Sequence, residues 1–149
     1  MTTQTIDNNY ATSNQEILAA ALAEVRQHLH NFALNSDFLT QMQLAYGDNF
    51  DAAVALDLAQ AWQDRDFSVI PAIEFLSSAE LNGANGAYAA ANDTIYVSQE
   101  FIAQNQANLA ALTNLLLEEI GHRIDTLLNT TDSAGDEGAI FAEIATRGG

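Results

Sequence analysis

The chain has no cysteine, which excludes both a disulfide framework and a thiolate metal site, so any metal must be held by oxygen and imidazole. It also has no lysine: its four cationic side chains are all arginine, against twenty Asp and Glu, for a formal charge of −16. Such a field repels phosphate and attracts cations, so no nucleic acid and no membrane surface is expected as a partner. Long apolar runs are missing too. None approaches the roughly 18 residues of a membrane span, and the N-terminal MTTQTIDNNYATSNQ lacks the basic-then-apolar order of a signal peptide. A soluble chain is expected. Its low-Lys, Asp-, Asn- and Gln-rich surface leans toward a secreted, calcium-rich setting reached by a non-Sec route, with the cytoplasm as the alternative.

What is present suffices for one ordinary domain: 149 residues, 48% of them apolar. Ile17, Leu18, Ala21, Leu22, Val25 and Leu29 recur at helical spacing, with Ser13 or Asn14 available as a cap, and predict a helix from Ser13 to about Phe32. Residues 1–12 are polar and are expected to be flexible. A second helix is expected over 37–46, broken by Gly47-Asp48-Asn49, and a third over 50–64 with Ala53, Leu56, Ala59 and Trp62 on one side. The character changes at Phe67, just before the only proline, Pro71, and Ala72–Leu76 reads as a strand. Gly86–Ala89 and Thr94–Val97 read as a hairpin or a pair of short strands. A helix from Ser98, interrupted near Asn105, leads into a long one over 107–128, and Asp136 can cap a last helix over 137–145. The expected fold is α+β: a single, predominantly helical domain with a small sheet. It comprises a helical scaffold over 13–66 and a strand-and-helix core over 67–146, followed by a tail at 147–149.

One stretch carries chemistry. Residues 115–125 read LLLEEIGHRID, which sets Glu118, His122 and Asp125 at i, i+4 and i+7 with Glu119 beside them. At about 100° per residue, Glu118, His122 and Asp125 fall within roughly 60° of one another. Leu116, Leu117, Ile120, Ile124, Leu127 and Leu128 are expected on the opposite, core side.

The strand GAYAAANDTIYVS, the helix LLLEEIGHRID and the acidic segment SAGDEGAIFAEI together resemble the core of the zincin metallopeptidases. In those proteins a strand borders the cleft and the next helix carries HExxH. The resemblance covers about residues 67–146. The string EEIGHRIDTLLNTTDSAGDEGAIFA is similar to a zincin-like module of large secreted bacterial proteins of the RTX, calcium-binding type. Here the motif is EExxH: Glu118 stands where the family has its first histidine ligand, Glu119 matches the general base and His122 the second ligand. A carboxylate can ligate zinc, although it makes the site harder and shifts preference toward manganese, magnesium or calcium.

For the third ligand the resemblance points to a later helix, where Glu137 is favoured, then Glu143, then Asp125, with Asp132 and Asp136 also in the acidic segment. Asp125 could equally orient the imidazole of His122. The implied function is that of a metal-dependent hydrolase, a peptidase with zinc as cofactor, Glu119 as general base and an extended polypeptide or the parent chain as substrate. The substrate is expected along Thr94–Val97 by strand addition, with Tyr88 or Tyr96 near the oxyanion.

Plainer accounts exist for the same residues. Glu118 with His122, or Glu119 with Arg123, could be i, i+4 surface pairs worth about 0.2–0.5 kcal/mol. His28 and His30, two apart on a helix, do not face each other and read as ordinary residues. Trp62 and the tyrosines read as core or rim. The Asp132–Glu137 segment lacks EF-hand order but could hold calcium loosely. Two further functions stay open: a non-catalytic zincin-like folding or interaction module of an exported protein, with a metal or with none, and a leader domain cleaved after the Gly148-Gly149 pair.

Overall fold

The computed structural model describes residues 2–129 and 137–147, with side chains from Asn14 to Asn129 and from Glu137 to Thr146. Helix α1 spans Thr2–Ala33. It begins before the expected Ser13 because residues 2–12 carry no apolar repeat from which periodicity could detect a helix. Its buried stripe is Ala21, Val25, Leu29 and Phe32. Helix α2 (Phe38–Tyr46) ends at Gly47, whose φ of 81° suits glycine and whose N–H reaches the Gln43 carbonyl. Helix α3 (Ala52–Gln63) starts where the Asp51 carboxylate accepts the Val54 N–H at 3.2 Å.

The buried stripe of α3 is Ala55, Ala59 and Trp62, and Leu56, expected inside, is 51% exposed. The reason is geometric. A series at strict i+3 spacing drifts by about 60° per step, so Ala53 and Trp62 end on opposite sides, whereas the i, i+4, i+7 series through Trp62 holds one face.

At the centre of the helical half, the rings of Phe32 and Phe38 stand 4.8 Å apart, and Trp62 lies 6.0 Å from Phe38 and 6.3 Å from Phe141. Such aromatic pairs add about 0.5–1.5 kcal/mol each beyond their burial. The ends of α1 and α3 are tied by polar bonds, from His30 Nδ1 to the Trp62 carbonyl at 3.0 Å and from the Gln63 amide to the Ala33 carbonyl at 2.9 Å.

Strands β1 (Ala72–Leu76), β2 (Gly86–Ala89) and β3 (Thr94–Ser98) form one mixed sheet in the order β1-β3-β2. β1 pairs with β3 in parallel, and β2 pairs with it antiparallel as a hairpin. Ile95 and Val97 are fully buried and turn into the core. Since β3 is hydrogen-bonded on both sides, strand addition along Thr94–Val97, as expected from the sequence, is ruled out. β1 and β2 are the outer strands.

Helix α4 (Gln99–Gln104) is capped by the Ser98 hydroxyl, which accepts the Phe101 N–H at 3.0 Å. After a break at Asn105 the chain enters α5 (Leu109–Leu128), and α6 (Glu137–Arg147) packs across it. α5 is the spine of the molecule: Leu112, Leu116, Leu117, Ile120 and Ile124 are fully buried. Its acidic side is covered too, since Glu119 and Asp125 are only 8% and 4% exposed, while Leu127, assigned to the core side, is 36% exposed. The helix is packed by α6 and by β2 on the side where a solvated face was expected. No helix among the described residues is long and apolar enough to cross a membrane.

Candidate metal and general-base site

The site is built by a close approach of two helices. A methyl group placed on Gly121 of α5 would stand 2.9 Å from Gly138 Cα and 3.0 Å from Phe141 Cβ. One placed on Gly138 of α6 would stand 2.5 Å from the Glu118 carbonyl oxygen and 2.8 Å from His122 Nε2. Only glycine allows the backbones this near, and the approach carries the first turn of α6 onto the His122 turn of α5. As a result His122 Nδ1 lies 3.7 Å from Glu137 Oε1. Glu137, the residue favoured as third ligand on the strength of the resemblance, is thus near His122 in the fold.

The pair is asymmetric, with the Glu137 side chain 6% exposed and that of His122 43% exposed. Two donors about 2.0–2.2 Å from a zinc ion at tetrahedral angles stand roughly 3.4 Å apart, close to this spacing. Glu118 is placed differently. Its Oε2 accepts the Asn114 amide at 3.0 Å, so the carboxylate turns back one helical turn. Among the described residues no three His, Asp or Glu side chains form a group that could hold a metal ion. His122 and Glu137 are thus the two candidate donors that the fold brings near one another, and Glu118 is turned toward Asn114.

Glu119 sits against the sheet. The Asn85 carbonyl accepts the Ser98 N–H, and pairing alternates along an antiparallel ladder, so Tyr88 directs its N–H away from β3, toward the open edge of β2. That N–H is on the side of the sheet edge that Glu119 occupies. Burial pushes the Glu119 carboxyl above its ordinary value of 4.5; the neighbouring Glu118 adds to the rise, while His122 and the Tyr88 N–H oppose it. A carboxylate with raised proton affinity suits general-base work. Arg123, the alternative partner for Glu119, instead brings its Nε within 3.1 Å of Asp93 in the hairpin turn.

Asp125 does not orient His122. It is buried and accepts the Asn129 side-chain amide at 2.7 Å. Glu143 is exposed and lies about 120° round α6 from Glu137, on another face. Asp132, Asp136 and the Gly148-Gly149 pair lie outside the described residues. Of the two tyrosines, Tyr88 shares its face of the sheet with Ile95, toward the core, whereas Tyr96 is on the other face. The Tyr88 hydroxyl donates to Asp93 at 2.7 Å, and that of Tyr96 accepts from Asn92 at 2.7 Å.

Sequence reasoning missed Tyr46. Its hydroxyl donates to the Gly121 carbonyl at 2.8 Å. Burial holds its pKa well above the ordinary 10.0, and the neighbouring Asp125 and Glu137 carboxylates push the same way. No local pattern marks a tyrosine near the end of α2 as a contact of α5. The glycine pair left a fainter signal, since an isolated glycine inside a helical pattern calls for a packing reason. Comparison of the chain with protein-family models, with curated proteins and with solved structures finds no match.

Proposed function

We propose that the chain is a metal-dependent hydrolase of the zincin-like kind, acting on polypeptide, with Glu119 as general base and His122, Glu137 and Glu118 as the metal-holding residues. Zinc is the cofactor this donor set suits first, and manganese and calcium are the alternatives. The observation that carries the proposal is the company Glu119 keeps: a buried carboxyl of raised proton affinity stands one turn from an imidazole that faces a second buried carboxylate. A metal held there supplies Lewis acidity and a water of lowered pKa.

The chain's own groups then have defined tasks. Glu119 takes the proton of the attacking water on its carboxylate and returns it to the leaving amine. Glu137, carried onto α5 by the glycine contact, stands 3.7 Å from His122 Nδ1, so the two would hold the metal together.

A second reading, the non-catalytic module, is favoured by one set of contacts. The outward side of β2 already lies on α5, with Gly86 packed against the Leu115 side chain. The His122 ring likewise rests on Gly138. Each group then serves to dock β2 or α6 on α5.

The two readings separate by elemental analysis of protein never exposed to chelator or nickel resin. The hydrolase reading expects about one equivalent of metal in the parent, none in His122→Ala, and metal without cleavage of an unfolded polypeptide in Glu119→Gln. A parent that folds fully, carries no metal and takes none up on addition of zinc, manganese or calcium would refute it and leave the module.

A further inference from the structure

Between β1 and β2 the chain carries two Asn-Gly steps, Asn82-Gly83 and Asn85-Gly86. Asparagine before glycine is open to attack by its own backbone, because glycine has no Cβ to shield its nitrogen from the preceding side-chain amide. Both asparagines are exposed, so sequence and exposure do not separate them. Their backbone bonding does.

At the first step the Gly83 N–H donates to the Ser78 carbonyl at 2.8 Å, inside a turn where the N–H groups of Leu81, Asn82 and Ala84 are also bonded. Asn82 and Gly83 are both held there at positive φ, 56° and 85°. The nitrogen that would attack the Asn82 side chain is therefore engaged. At the second step the Asn85 carbonyl accepts the Ser98 N–H at 2.9 Å, and pairing alternates along the antiparallel ladder, so Gly86, opposite Val97, turns its N–H away from β3. That N–H forms no hydrogen bond among the described residues.

We propose that Asn85-Gly86 is a self-modification site, at which the Gly86 nitrogen attacks Asn85 Cγ. The N–Cγ bond forms, the Cγ–Nδ2 bond breaks, and the Nδ2 amino group leaves as ammonia with the Gly86 amide proton, giving a cyclic imide. Water then opens the ring at either carbonyl. Opening at Cγ gives aspartate in an unchanged main chain, and opening at the main-chain carbonyl gives isoaspartate, whose main chain runs through Cβ and is one carbon longer. The fold distinguishes these products. Aspartate keeps the carbonyl that accepts the Ser98 N–H, whereas isoaspartate turns it into a free carboxylate. There is no slack to absorb the added carbon, since even a methyl on Gly86 would stand 3.1 Å from the Tyr96 carbonyl oxygen and 3.2 Å from both Leu115 methyls. Isoaspartate thus loosens β2 from β3 and α5. The site is independent of the EExxH face and does not require it to be catalytic.

The test incubates the full chain at mildly alkaline pH, folded and in urea, and follows the chymotryptic peptide 82–88, which holds both steps, by mass spectrometry with fragmentation. A backbone hydrogen bond like that of Gly83 is worth a factor of about two to ten. Folding is therefore expected to raise the ratio of conversion at Asn85 to conversion at Asn82 by at least about twofold over its value in urea, with both isomers formed at position 85 and none in Asn85→Gln. After separation of the products, the isoaspartate form should melt below the aspartate form. A ratio that folding leaves unchanged or lowers, or a folded chain that does not convert Asn85, overturns the site, and equal melting of the two products overturns the loosening of β2.

Discussion

Replacing Gly121 with alanine sets two effects of opposite sign against each other. Gly121 lies in the interior of α5, where alanine is favoured over glycine by about 0.8–1.0 kcal/mol. If the helix mattered alone, the variant would be more stable by that amount. The added methyl, however, would stand 2.9 Å from Gly138 Cα and 3.0 Å from Phe141 Cβ. Neither neighbour can move aside by a rotamer change, since one is backbone and the other belongs to a fully buried phenylalanine, so α6 itself must shift. Overpacking costs about 1–3 kcal/mol, and an obstacle made of backbone places this case toward the upper end. After subtraction of the helical gain, a net loss of about 1–2 kcal/mol is expected. With about 2–4 °C per kcal/mol for a chain of this size, Tm falls by roughly 2–8 °C. Urea denaturation followed by circular dichroism and by Trp62 fluorescence measures the loss directly. Gly138→Ala alone should also destabilise, and the double variant should lose less than the sum, because the first methyl has already displaced α6. A Gly121→Ala protein more stable than its parent by the helical increment would refute the close crossing, and with it the approach of Glu137 to His122.

Four further expectations rest on other positions. Glu119 binds its proton more tightly folded than unfolded, so its contribution to stability is complete below the ordinary 4.5 and is lost as pH rises through the raised value. Glu119→Gln should therefore gain on the parent as pH climbs through that window, in urea titrations at a series of pH values, and a difference independent of pH would count against the burial argument. Tyr46→Phe should cost about 0.5–1.5 kcal/mol through the lost bond to the Gly121 carbonyl, and the parent should keep one tyrosine protonated well past pH 10.0 in an ultraviolet titration that the variant completes earlier. Phe141→Ala should cost about 3–5 kcal/mol, since its ring is fully buried against Phe32, Tyr46 and Trp62. Leu56→Ala, at an exposed position of α3, should stay within about 0.5 kcal/mol of the parent by chemical denaturation.

Much of the fold was legible because it is local. The stripe of α1 from Ala21 to Leu29, the strand Ala72–Leu76, the hairpin and the break at Asn105 all follow from periodicity, branched residues and turn chemistry within a few positions. What was not legible depends on which elements meet. The antiparallel pairing of Gly86–Ala89 with Thr94–Ser98 is a hairpin property, but that β1 joins the far side of β3 in parallel is set by the path through 77–85 and by burial of Ile95 and Val97. That pairing turned the expected substrate strand into the central one. On α3, the choice between two overlapping apolar series was decided by Trp62, whose partners lie on α2 and α6.

The site shows the same division and adds a physical lesson about acidic helix faces. From the sequence, Glu118, Glu119, His122 and Asp125 read as one solvated side of a helix, since carboxylates are seldom buried without a partner. In the fold both Glu119 and Asp125 are buried: Asp125 accepts the Asn129 amide, and Glu119 meets its burial with a raised proton affinity. Gly121 and Gly138 make room for α6 to cover the rest. A face with carboxylates at i, i+1 and i+7 and a glycine between them is thus a face on which another backbone can rest. The same backbone carries Glu137, and its arrival near His122 is a consequence of the glycine contact. Glu137 in turn adds to the raised proton affinity of Tyr46, whereas the shift at Glu119 comes chiefly from its own burial. The two halves of the site are therefore assembled by separate contacts, α6 through the glycine pair and β2 through Gly86 on the Leu115 side chain. Loss of the α6 contact should disturb His122 and, through it, the proton affinity of Glu119 that His122 holds down.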